Sequence, residues 1–88
     1  MSSYLVAYDL NTPGQKYEAL IDCLNQYPTH WHVQKSVWIV GPANSAYEVA
    51  ENLRTFLDAN DHLIVQAWTE DCAWWGYSPD DTAWLRAA

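Results

Sequence analysis

Residues 4–10 are apolar at nearly every position: Tyr4, Leu5, Val6, Ala7, Tyr8 and Leu10, broken only by Asp9. A run without alternation predicts a central strand covered on at least one face, ending at Asp9. Asn11, Thr12, Pro13, Gly14 and Gln15 then read as a helix start, with Thr12 as N-cap, Pro13 at the first helical position and Gln15 closing a capping box. Tyr17, Leu20, Ile21 and Leu24 follow at helical spacing on one face, with Glu18, Asp22 and Asn25 opposite. Pro28 ends this helix, because it disfavours helical geometry at the residue before it. Residues 30–40 alternate, with Val33, Lys35, Val37 and Ile39 on one side and His32, Gln34, Ser36, Trp38 and Val40 on the other. That is long for one strand, so a bulge or break is expected at 34–36, and Gly41-Pro42 is expected to end it. Asn44 or Ser45 caps a second helix, Ser45 forming a capping box with Glu48. Its apolar stripe is Ala46, Val49, Ala50, Leu53, Phe56 and Leu57. After a polar turn at 58–61, residues 62–68 read as the last strand.

Taking the broken strand as two gives the order β-α-β-β-α-β. This is an α+β, ferredoxin-like plan, with two helices on one face of an antiparallel sheet. It accounts for residues 1–68. The rest, 69–88, is a different kind of segment: Trp74, Trp75, Tyr77 and Trp84 lie among Glu70, Asp71, Asp80 and Asp81. Gly76 and Ser78-Pro79 interrupt it, and Ser78-Pro79-Asp80-Asp81 caps a short final helix through Trp84-Leu85. So much indole is rarely left in water, so the tail is expected to pack on the core or on a second protomer. Tyr4, Tyr8, Trp38 and Trp68 are expected either under the helices or on the opposite, open sheet face, and an open apolar face favours a homodimer.

At 88 residues the chain is one domain, and 50 % hydrophobic content excludes disorder. No apolar run approaches the ~20 residues of a membrane span. Met1-Ser2-Ser3-Tyr4 has neither the basic nor the apolar part of a signal peptide, so a cytoplasmic location is expected. Four Lys and Arg against eleven Asp and Glu give a net charge of −7. Tight binding of nucleic acid or of an anionic membrane surface is therefore not expected, unless a bound cation reverses the local sign. Cys23 and Cys72 match no metal spacing. They read as two free thiols, with one disulfide as the alternative.

Other candidate chemistry has plain counterparts. His30 and His32 share a strand face and, with His62, make either a three-His metal site or polar residues at strand edges. Ser36 near His32 or His62 has no nucleophile-elbow signature around it and reads as a sheet residue. The tail aromatics either stack unpaired bases or pack the core or a dimer, and the lack of cations favours packing.

Tyr8-Asp9-Leu10, then Gln34-Lys35-Ser36-Val37-Trp38, then Asp61 before the last strand resemble, in order and spacing, the Cas2-like small proteins. Pro13-Gly14, Tyr17 and Trp31-His32 are similar to their stand-alone, SinR-like branch, and VapD-like toxins share the plan. The resemblance covers residues 4–68. It implies a ferredoxin-like homodimer in which Asp9 faces its symmetry mate and helps to hold Mg²⁺ or Mn²⁺ for phosphodiester cleavage. Two close carboxylates repel, and a hard cation relieves the repulsion. A plainer reading has Asp9 accepting hydrogen bonds that hold the loop after the strand. The pattern departs from the family in charge: where basic residues usually follow that Asp, Lys16 stands alone beside Glu18 and Asp22. Two expectations result. One is a metal-dependent endoribonuclease of low or lost activity, acting as a homodimer. The other is a non-catalytic dimeric interaction or regulatory module, or an acidic nucleic-acid mimic, that binds a protein partner.

Overall fold

A computed structural model of the chain describes residues 2–11 and 17–88. The capping box at Thr12 to Gln15, and Lys16, lie outside the described residues. The elements are β1 (Ser2–Asp9), α1 (Tyr17–Asn25), β2 (Thr29–Gln34), β3 (Val37–Ala43), α2 (Ala46–Arg54), β4 (His62–Ala67) and α3 (Pro79–Ala87). The four strands form one antiparallel sheet in the order β2-β3-β1-β4. No helix among the described residues is long and apolar enough to cross a membrane.

The expected break is the tight turn at Lys35 and Ser36, preceded by a register shift between His32 and Gln34. Gly41-Pro42 does not end the strand, as its composition suggested, because β3 continues to Ala43. Proline has no N–H for the ladder and is tolerated where pairing is irregular. The β1–β3 register shifts at this point, between Ser2 and Tyr4. Gly41 suits this position for a separate reason: a Cβ there would lie 3.0 Å from Ser3 Cα, so any side chain would have to push β1 aside. The start of α2 follows its sequence signal. Ser45 Oγ accepts from Glu48 N at 3.0 Å, and Glu48 Oε2 accepts from Asn44 N at 3.2 Å. The helix stops at Arg54, so Phe56 and Leu57 complete the apolar stripe from beyond it, half-buried against the core.

Successive residues of a strand point to opposite faces. On the first face Tyr4, Val6, Tyr8, Trp38 and Val40 meet Leu20 and Leu24 of α1 and Val49 and Leu53 of α2. Each fully buried aliphatic contributes roughly 1.5–3 kcal/mol. The Trp38 indole donates to Tyr8 Oη at 3.1 Å, so the polar atoms of this aromatic pair satisfy each other. The second face carries Leu5, Ala7 and Asp9 of β1, Val37 and Ile39 of β3, and Trp31 of β2. Ile39 is fully buried there. The cover is the tail: Trp31 meets Tyr77 and Trp84 edge-on, with ring centroids 5.6 and 5.2 Å apart. Gln34 Nε2 donates to Tyr77 Oη at 3.2 Å, and Trp68 Nε1 donates to Leu85 O at 3.1 Å. The sheet is therefore sandwiched between α1 and α2 on one side and the tail with α3 on part of the other.

Candidate functional site

Asp9 is the last residue of β1 and is exposed. Its cross-strand partner is His62, the first residue of β4. One register step earlier, Ala7 pairs with Val37 on one side and Ile64 on the other. These residues share the second sheet face, at the end away from Trp31, and Ile64 is 68 % exposed. An exposed carboxylate and an exposed imidazole thus stand side by side, next to a small apolar strip. Cross-strand neighbours of this kind have Cβ atoms roughly 5 Å apart. Tyr8 N donates to Ser36 O at 3.1 Å, which brings the β2–β3 turn, and with it Lys35, to the same end of the sheet.

The end of β1 is held by Asp61. Its Oδ1 accepts from Asn11 N at 2.8 Å and from Tyr17 Oη at 3.2 Å, and its Oδ2 accepts from Asp58 N at 2.8 Å. One carboxylate joins the loop after β1, the first turn of α1 and the turn before β4. The Asp58 and Asn11 N–H groups hold the Asp61 carboxyl below the usual carboxylate range; desolvation opposes them, and the Tyr17 hydroxyl and His62 lower it further. Asp61, which the sequence marked only as a landmark before the strand, thus makes loop-holding hydrogen bonds of this kind. Its position at the end of a polar turn was the available signal, since Asp side chains commonly bond backbone N–H groups in such turns.

The three histidines do not converge. His30 and His32 lie on β2 and His62 on β4, the opposite edges of the sheet. Three strand spacings separate them, roughly 14 Å. His30 Nδ1 lies 2.7 Å from Tyr27 O, and His32 Nε2 lies 3.0 Å from Lys35 O. The His32 ring also stacks on Trp38, centroids 4.4 Å apart. No group of three or more His, Cys, Asp or Glu able to hold a metal is assembled among the described residues. Ser36 sits in the turn rather than in a strand, and its carbonyl serves β1.

No protein-family model matches the chain, and no solved structure matches it.

Both cysteines are free thiols. Asn52 Nδ2 donates to Cys23 Sγ at 3.4 Å and to Tyr27 Oη at 3.0 Å. Burial raises the pKa of both the Cys23 thiol and the Tyr27 phenol, with the Asn52 bond pulling each back. A raised thiol pKa lowers the thiolate fraction and makes Cys23 a poor nucleophile. The described cations are Lys35 in the β2–β3 turn, Arg54 paired with Glu51 at 3.0 Å, and Arg86 over the Trp74 ring. They are spread over the molecule rather than gathered into a patch.

Proposed function

We propose that the chain is a Cas2-like protein of ferredoxin-like plan that acts as a homodimer, with metal-dependent endoribonuclease activity that is low or lost. The observation that carries this reading is the placement of Asp9. It stands exposed at the end of a central strand, on the half of the second sheet face that the tail leaves open, beside the exposed Ile64. The order β2-β3-β1-β4 supports the plan. Each of α1 and α2 joins two strands that flank a third, β3 in one case and β1 in the other, as two interleaved split βαβ units require.

One copy supplies one carboxylate with His62 across from it, so the residues fit Mg²⁺ or Mn²⁺ only as a site shared by two copies. When bound there, such a cation supplies Lewis acidity for phosphodiester cleavage. The chain itself holds Asp9 in place through β1 and the Asp61 bonds, and offers Lys35 as the described cation at that end. One lysine against a net charge of −7 is weak recruitment for a polyanion, which is why activity is low or lost.

Sedimentation velocity, Mn²⁺ titration calorimetry and an RNA-cleavage assay in Mg²⁺ test the proposal together. A dimer is expected, with a metal heat and any cleavage both lost in Asp9→Asn. A monomer at every concentration overturns the reading, and cleavage that survives Asp9→Asn removes the catalytic role. The second reading, a non-catalytic dimeric module that binds a protein partner, draws on Trp75, which is 95 % exposed in the acidic tail. It requires a partner complex lost on Trp75→Ala with no cleavage by the parent protein, and a complex insensitive to salt excludes the nucleic-acid mimic.

A further inference from the structure

Between residues 68–74 and the C-terminal half of α3 lies an open cleft of about 800 Å³. This is within the size range of small-molecule sites, roughly 300–1,000 Å³. Trp68 and Trp74 form one of its walls, with ring centroids 6.3 Å apart and 27° between the planes. Both indole N–H groups are already used: Trp68 donates to Leu85 O at 3.1 Å and Trp74 to Thr82 Oγ1 at 3.3 Å. The indoles therefore offer a ligand no free N–H but only ring surface, whose faces attract positive charge, and Arg86 already lies over the Trp74 ring.

Two charged side chains line the same cleft, Glu70 and Arg86. Among the described residues neither has an ion-pair partner. The Arg86 guanidinium lies 5.6 Å from the Trp74 ring centroid. Arg86 is exposed, so its N–H groups remain open to a carboxylate. The cleft thus presents an anionic group, an acceptor of cations made of indole, and a cationic edge.

We propose that this cleft binds a small zwitterion that carries a methylated ammonium and a carboxylate. The ammonium lies against the indole wall near Glu70, and the carboxylate meets Arg86. A methylated ammonium suits the wall because it spreads positive charge over an apolar surface and has few or no N–H groups to satisfy. A simple cation meets repulsion from Arg86, and a simple anion meets repulsion from Glu70 and from the net charge of −7. The site lies within one chain and is independent of the dimer proposed above.

Titration calorimetry on the full chain tests it with three probes. Glycine betaine carries both charges. 3,3-Dimethylbutanoate has the same shape without the positive charge, and choline lacks the carboxylate. Betaine is expected to bind, and each of the other two to bind at least about tenfold more weakly. Glu70→Gln weakens betaine and choline alike and strengthens 3,3-dimethylbutanoate, which no longer meets the Glu70 charge. Arg86→Gln brings betaine down to the level of choline. Both positions are exposed, so these variants leave the core intact. Equal affinity for betaine and 3,3-dimethylbutanoate, or no betaine heat up to about 50 mM with the far-UV circular dichroism of the folded chain, overturns the proposal.

Discussion

Leu85 is 2 % exposed, on the side of the sheet where Ile39 is fully buried. It also supplies the carbonyl that takes the Trp68 indole N–H. Leu85→Ala removes three carbons from this contact. At ~0.8 kcal/mol per buried carbon the transfer loss is about 2.4 kcal/mol, and a residual cavity adds to it, within the ~2–5 kcal/mol spread of such substitutions. A loss of about 3 kcal/mol is expected. For a chain of 88 residues the whole stability is roughly 4–13 kcal/mol, so this is a quarter of it or more. It corresponds to a fall in Tm of roughly 12–24 °C. Urea unfolding followed by far-UV circular dichroism measures it, with Leu24→Ala in α1 as the control on the other face. Near-UV signals from the tryptophans report whether the tail undocks before the sheet unfolds. A cost under about 1 kcal/mol for Leu85→Ala, beside a full loss for Leu24→Ala, refutes the claim that the tail is part of the core.

Two further outcomes follow from local geometry. The Asp61 carboxyl is held below its ordinary value by the Asp58 and Asn11 N–H groups, so its contribution to stability is present above about pH 4 and is lost as pH falls through the depressed pKa. Urea midpoints between about pH 6 and pH 2 should fall less steeply in Asp61→Asn than in the parent, and identical slopes count against the Asp61 bonds. Gly76 has φ +90°, and a Cβ there meets nothing within 4 Å. Gly76→Ala should therefore cost about 1 kcal/mol from backbone strain alone, read from the urea midpoint, while an unchanged midpoint means that the loop takes another path without loss.

The sequence was most legible where local periodicity and burial agree. The unbroken apolar run of β1 reflects a strand covered on both sides over part of its length: Val6 is fully buried under the helices, and Leu5 and Ala7 are half-buried on the second face. The stripe Leu20, Leu24, Val49 and Leu53 is the helix side of the core. Ser78 caps α3 as its motif suggests, with Oγ accepting from Asp81 N at 3.1 Å. What periodicity could not supply was anything fixed by contacts far apart in sequence. Asp61 joins residues 50 and 44 positions away, so no local window shows its role. The separation of His62 from His30 and His32 follows from strand order, which three-residue spacings do not encode. Indole content alone implied that the tail packs somewhere; that it lies on Trp31, beside the buried Ile39, depends on the register of β2 against β3.

That placement constrains the proposed dimer. The tail takes the Trp31 end of the second face and leaves a strip across β3, β1 and β4 from the Val37–Ala7–Ile64 row to Asp9 and His62. Three strands at ~4.8 Å and three or four residues at ~3.4 Å give a footprint of roughly 150–200 Å². A standard interface buries roughly 800 Å² per partner. A second copy that brings the two Asp9 side chains together must therefore reach past the strip onto the surface around it. If that surface includes the tail, Leu85→Ala weakens association as well as folding. An association constant unmoved by that substitution, in protein that remains folded, would place the contact between copies away from the tail.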